Sequence, residues 1–477
     1  MCTQKSIATI IAPILLGVLI TTLDIQLVSF GLPSIQKGLN VSLDEGRFVL
    51  IAYTTLHGCM LLAGGALGDR FGRRTCYKAG FSLFLTSSLM CAMASKLEWL
   101  MLFRAIQGVG AALLVPQIFS SINDVVAAEH RHRVLCYVAA TQGLGMLLGP
   151  LVAAWFIEYE STVDPWRLLF LVNIPIGIAC LVTSSSLPSK KTNQRTNGHR
   201  YDWVSGLLLA YPMAFTLILV SGITALRWSI YTLAPMAPGL VAIAIHLWRR
   251  HNQKKSVEDS RTRAIRRMPN GFYIGSASIA LFYLSYGCLP VLLTTFLQVG
   301  MRTPPLTASY YFLPLSVAFA LSSIIKSISK RHDWMLVYGF TLYLLGLLTS
   351  IAVSNSASHH EVFFISLLLV GAGQGIVVPV IISNTLSRLP PSLSGYGSGL
   401  MATCQLIGTT LSIGIIGAFF AYSTKIIDST PHMQAYGDAF RNALTLCLIP
   451  AAFSAALHYS SHILKSSDDQ LFDEDRA

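Results

Sequence analysis

Residues 7–32 read IATIIAPILLGVLITTLDIQLVSFGL, an apolar run interrupted by one carboxylate, Asp24. A bilayer core of ~30 Å takes about 20 residues of helix, so this run is long enough to cross one. A charged carboxylate at the centre of such a helix costs about 2.5–3.5 kcal/mol on insertion scales, and such residues mark function by default. Lys5 precedes the run as it would in a secretory leader. The run is too long for one, however, and lacks a small-x-small cleavage site, so it reads as a retained first span.

The rest of the chain agrees. Of 477 residues, 53% are hydrophobic and 12% charged. Soluble domains carry roughly 25% charged residues, and half that supply cannot cover a soluble protein of this length. The net charge of +12 would suggest nucleic acid in a soluble protein. Here the basic residues lie in short loops between apolar runs, so no nucleic-acid partner is expected. The nine cysteines are scattered singly, with no CxxC pair and no Cys/His cluster. Neither a disulfide scaffold nor a metal site is indicated, and no cofactor is expected.

Runs able to span occur at 7–32, 47–67, 77–95, 98–122, 134–157, 167–187, 203–224, 228–248, 271–297, 307–328, 334–353, 361–385, 397–422 and 439–464. Fourteen spans place both termini on one side. Loops after even-numbered spans hold about 22 Lys and Arg residues, those after odd-numbered spans about 5. The positive-inside bias makes both termini cytoplasmic.

The chain repeats itself. Gly108–Pro116, GVGAALLVP, matches Gly371–Pro379, GAGQGIVVP; 371 minus 108 and 379 minus 116 both give 263. Gln142 and Gly145 find Gln405 and Gly408 at the same offset. Spans four and five therefore return as spans twelve and thirteen. Two six-helix halves would shift the repeat by six spans, so two spans are inserted between them. The expected division is residues 1–188, an insert at 189–268 with basic flanks, and residues 269–477. Repeats of this kind place a transport site at the interface between halves.

Three motifs carry chemistry. Gly65–Arg74, GALGDRFGRR, joins spans two and three. Gly65, Gly68 and Gly72 permit a tight turn, and Asp69 can pair with Arg70 or Arg73 or cap a helix N-terminus. A structured gate and an ordinary basic loop are the two readings. Arg104 lies about six residues into span four, so it either faces a partner inside the bundle or snorkels to the surface. Gly145, Gly149 and Pro150 give span five a flat strip and a hinge.

These residues resemble the major facilitator superfamily, and within it the fourteen-spanner drug:proton antiporters. LDIQLVSFGLPSI is similar to that branch's first-helix motif, GALGDRFGRR to the loop after the second helix, RAIQGVGAALLVP to the fourth-helix arginine motif, and GLGMLLGPLVAAWF to the fifth-helix antiporter motif. WRLLFLVNIPIG and YDWVSG resemble further marks of the branch. Ala153-Ala154 stand where the antiporter motif ends in Gly-Gly, and Gln26 replaces a small hydroxyl residue.

The resemblance implies an all-α integral membrane protein in which two six-helix bundles rock around a central cavity. It implies proton-coupled export of small amphipathic organic compounds from a plasma membrane or bacterial inner membrane, by a monomer. Asp24 would exchange the proton, Arg104 would tune it, and Asp69–Arg73 would lock the gate. Gln26, Tyr53, Gln107, Gln142, Tyr283, Tyr286 and Gln298 are candidates to line the cavity. Uniport or import of a metabolite, and a transport-inactive sensor on the same fold, are the alternatives. An enzyme is disfavoured, because no span holds paired carboxylates or a Ser/His/Asp set.

Overall fold

The computed structural model describes residues 4–126, 128–159, 164–187, 269–328, 333–354, 360–389, 394–426 and 432–463. The expected spans at 203–224 and 228–248 lie outside the described residues. Those described form helices and contain no strand. In the first half they are α1 (Gln4–Leu39), α2 (Phe48–Phe71), α3 (Arg73–Met93), α4 (Leu97–Val125), α5 (Ala128–Tyr159) and α6 (Trp166–Leu171 with Asn173–Thr183). In the second they are α7 (Asn270–Tyr286, Leu289–Thr295 and a π turn, Phe296–Gly300), α8 (Pro305–Tyr310 with Phe312–Ile328), α9 (Asp333–Val353), α10 (His360–Leu386), α11 (Ser394–Ile426) and α12 (His432–Ile463).

Eleven stretches among the described residues are long and apolar enough to cross a membrane. The third expected span, now α3, falls short of that standard because it carries Ser82, Thr86, Ser87 and Ser88. Two of its hydroxyls are satisfied within the helix. Thr86 Oγ1 donates to the Ser82 carbonyl at 2.9 Å and Ser87 Oγ to the Leu83 carbonyl at 2.7 Å. A hydroxyl that bonds its own helix asks nothing of its surroundings.

Prolines explain the broken helices. Pro175, Pro290 and Pro314 have no N–H to return to Leu171, Tyr286 and Tyr310, and α6, α7 and α8 are interrupted next to those carbonyls. In α7 a side chain takes part of the slack, Ser412 Oγ accepting from Cys288 N at 2.8 Å.

The repeat read from the sequence is a repeat of packing. A methyl group on Gly108 of α4 would meet the α2 backbone at Tyr53 O and His57 N, and one on Gly371 of α10 would meet the α8 backbone at Leu315. Gly110 approaches α3 at Phe84 N and Gly80 O, and Gly373 approaches α9 at Tyr343 N and Gly339 O. Gly145 presses α5 on α1 at Thr22, while Gly408 presses α11 on α7 at Ala280 O. The two halves are therefore the same bundle built twice. They meet where α2 packs on α11 and α5 on α8, two contacts that the repeat interchanges.

These close approaches set a test. An added methyl at Gly110 would lie 2.8 Å from Phe84 N, a backbone atom with no freedom to yield, whereas at Gly65 it would find only Pro116 Cβ at 3.6 Å. Gly110→Ala is expected to lose about 1–3 kcal/mol by overpacking. Gly65→Ala should unfold like the parent protein. Equal thermal stability of the two purified variants would show that α3 and α4 can separate freely.

Candidate functional site

Asp24 sits midway along α1, and both its side chain and that of Arg104 on α4 have zero exposure. Arg104 Nη1 donates to Asp24 Oδ2 at 2.6 Å, so the arginine faces a partner inside the bundle rather than snorkelling. Asp24 Oδ1 accepts from Gln107 Nε2 at 3.1 Å and from Asn173 Nδ2 at 2.7 Å. Gln107 also accepts from Arg104 Nη1 at 2.7 Å, and Arg104 Nε donates to the Val49 carbonyl at 3.5 Å. The guanidinium lies 4.3 Å from the Tyr53 ring centroid and 5.8 Å from that of Phe170. Such stacking adds roughly 2 kcal/mol where both groups are desolvated.

Asn173 was not among the residues singled out by sequence. It starts the second segment of α6, just after the break at Val172, and that segment packs on α1 and α3. There its amide donates to Ser88 Oγ at 3.0 Å as well as to Asp24, and Ser88 Oγ donates to the Phe170 carbonyl at 2.8 Å. The signal was a lone amide one residue after a run of apolar ones and two before a proline.

One carboxylate thus ties three helices of the first bundle together, α1, α4 and α6. Burying such a pair contributes little net stability, because desolvation offsets the attraction, but removing one partner leaves an uncompensated charge. Several polar atoms around it find no hydrogen-bond partner in the protein: Arg104 Nη2, Asn173 Oδ1, Tyr53 Oη, and both ring nitrogens of His57. Each such orphan costs about 1–3 kcal/mol.

The fifth-helix motif touches this centre from outside. Gly145 lies against Thr22 and Gly149 against Gln26, so the two glycines set the α1–α5 distance at the turns flanking Asp24. Pro150 is buried one residue further along α5, and Gln142 is half-buried.

The remaining candidates fall in other places. Tyr283 and Tyr286 of α7 stack edge-to-face at 6.3 Å in the second bundle. Gln298 sits at the end of the bundle that holds Asn40, where it donates to the Phe30 carbonyl at 3.2 Å. That end is tied across the halves by two further contacts, Arg47 Nη1 donating to the Gly414 carbonyl at 2.7 Å and Leu306 N to Glu158 Oε2 at 2.6 Å. Midway along α2 and α11, Thr410 Oγ1 donates to Thr54 Oγ1 at 2.9 Å.

At the opposite end, α2 closes on Gly72, whose φ of 93° suits glycine and whose N–H returns to the Gly68 carbonyl at 2.9 Å. Gln117 of α4 reaches over Gly68 and donates to the Gly64 carbonyl at 2.8 Å. Arg74 Nε donates to the Ser184 carbonyl at the end of α6, at 3.3 Å. Arg70 is exposed over Phe71 and Arg73 is half-buried, while the Asp69 side chain lies outside the described residues.

The family model described as the Major Facilitator Superfamily matches residues 14–413. MdtD of Escherichia coli O6:H1, provisionally described as a multidrug resistance protein, is 27% identical over 455 residues, 94% of each chain. A bacterial homologue of the human lysosomal transporter Spinster, solved inward-facing and unoccupied, superposes with a TM-score of 0.68 at 14% identity, over 98% of this chain and 99% of that one. The xylose transporter XylE of E. coli, in a partially occluded inward-open conformation, gives 0.62 at 15% identity, over 94% and 98%. At these identities the solved structures bear on the fold alone.

Proposed function

The chain belongs to the Major Facilitator Superfamily, a multi-pass integral membrane protein, and on that premise we propose that it is a proton-coupled antiporter exporting small amphipathic organic compounds. The observation that carries this reading is Asp24, the one acidic side chain among the described residues that is fully buried, held against Arg104 within a bundle of spanning helices. An ionisable pair at this depth is expensive to keep and finds its use in moving a proton. Ionised Asp24 binds Arg104 and holds α1 to α4; protonated Asp24 has no reason to do so. The two protonation states therefore favour different arrangements of the bundle, as proton-driven alternating access requires. The multidrug description of MdtD agrees with export of amphipathic compounds.

The proposed division is residues 1–188 and 269–477 as the two rocking bundles, with residues 189–268 as two inserted spans. Both termini lie in the cytoplasm of a cell whose plasma or inner membrane the monomer crosses. The Asn40 end is then external and its cross-half contacts hold the outer side shut. Asp69, with Arg70 and Arg73, locks the cytoplasmic gate.

Two measurements test this. In proteoliposomes, a panel of amphipathic compounds should be concentrated only when a pH gradient is imposed; equal flux with and without it identifies a uniporter. In cells, an impermeant thiol reagent should reach Asn40→Cys and miss Arg70→Cys, both exposed positions. The reverse pattern inverts the orientation.

A further inference from the structure

Tyr53 and His57 lie one turn apart on α2, their rings edge-to-face at 5.5 Å, and Arg104 stacks on Tyr53 at 4.3 Å. All three side chains are buried, with Tyr53 and Arg104 at 0% exposure and His57 at 6%. Tyr53 Oη, Arg104 Nη2 and both His57 nitrogens have no hydrogen-bond partner in the protein. A group of buried, unpartnered polar atoms is the kind that fixes a ligand's orientation in an otherwise apolar site. We propose that Tyr53, His57 and Arg104 form the polar end of a substrate site for uncharged organic molecules that present a carbonyl or similar acceptor oxygen.

The chemistry of the set selects that class. Tyr53 offers an O–H, Arg104 an N–H that its ion pair leaves over, and neutral His57 one N–H and one acceptor nitrogen. Donors outnumber acceptors. A permanent cation finds no anion here, since both oxygens of Asp24 are engaged by Arg104, Gln107 and Asn173. A carboxylate would leave a net negative charge in a site whose one cation is already balanced. A neutral acceptor satisfies the donors and leaves the charge at zero. His57 is also close to the bundle interface, because Thr54 of the same helix bonds Thr410 of α11. A molecule seated on His57 is therefore within reach of both halves.

This inference rests on the transporter reading, and binding separates the two. Purified full-length protein is titrated with three radiolabelled compounds sharing one aromatic scaffold and bearing a ketone, a carboxylate or a trimethylammonium group. The ketone is expected to bind at least tenfold more tightly than the other two. Tyr53→Phe, which removes one oxygen, should weaken ketone binding roughly tenfold and leave the melting temperature of the ligand-free protein no lower, because the lost hydroxyl had no partner. His57→Leu should weaken it similarly. Preference for the trimethylammonium or carboxylate compound overturns the proposal, as does unchanged ketone affinity in both variants, or binding of none of the three. Ketone binding without pH-driven transport leaves this site standing and overturns the transport reading instead.

Discussion

Transport driven by a pH gradient is expected to vanish in Asp24→Asn while substrate still binds and still exchanges across the membrane at equal pH. The geometry gives the reason. Three N–H donors from α4 and α6 converge on the two oxygens of Asp24, at 2.6, 2.7 and 3.1 Å. A proton added to the carboxylate removes the charge that attracts Arg104, so protonation weakens the tie between α1 and α4. Asparagine fixes the neutral state: it keeps one acceptor oxygen for Asn173 and Gln107 but presents an NH2 group where Arg104 needs an acceptor. The carrier can then cycle with substrate, as counterflow of labelled compound would report, yet has no proton to release. The accumulation ratio under an inward proton force should fall to one. Retention of concentrative uptake by Asp24→Asn would mean that another group carries the proton and that the pair serves packing alone.

Much of this centre was legible before any coordinates. A single carboxylate in a 26-residue apolar run, and a single arginine early in the fourth, are each too costly to tolerate alone, and cost pointed to their pairing. The repeat was legible because glycines that touch backbone cannot be replaced in either half. Gly108 and Gly371 mark the same contact 263 residues apart. What sequence could not show is direction within a helix.

Asn173, 149 residues from Asp24, reaches it because the second segment of α6 packs on α1, and a proline downstream does not say which helix that segment meets. Gln298 read as a cavity residue from polarity, but the π turn at Phe296–Gly300 carries its amide to the seam at the Asn40 end. Nothing in the sequence set His57 apart; its lack of partners in a buried position is a property of packing.

Arg104→Met should be the most damaging single substitution in the first bundle, and Asp24→Asn should rescue much of its stability though none of its transport. Methionine fills the arginine's volume between Tyr53 and Phe170 but leaves the Asp24 carboxyl group at zero exposure with only amide donors from Gln107 and Asn173. Breaking a buried pair from one side costs about 3–5 kcal/mol, whereas removing both charges is often nearly neutral. In a double-mutant cycle, the pair should therefore show a coupling energy of about 3 kcal/mol or more, at the top of the range for residues in one hydrogen-bonded network. Thermal unfolding of the purified parent, both single variants and the double variant reads it directly. The order expected is parent, then double variant, then Arg104→Met lowest. Should Arg104→Met melt with the double variant, the two side chains would be shown not to be coupled in the folded state, and the role assigned to the ion pair would fall.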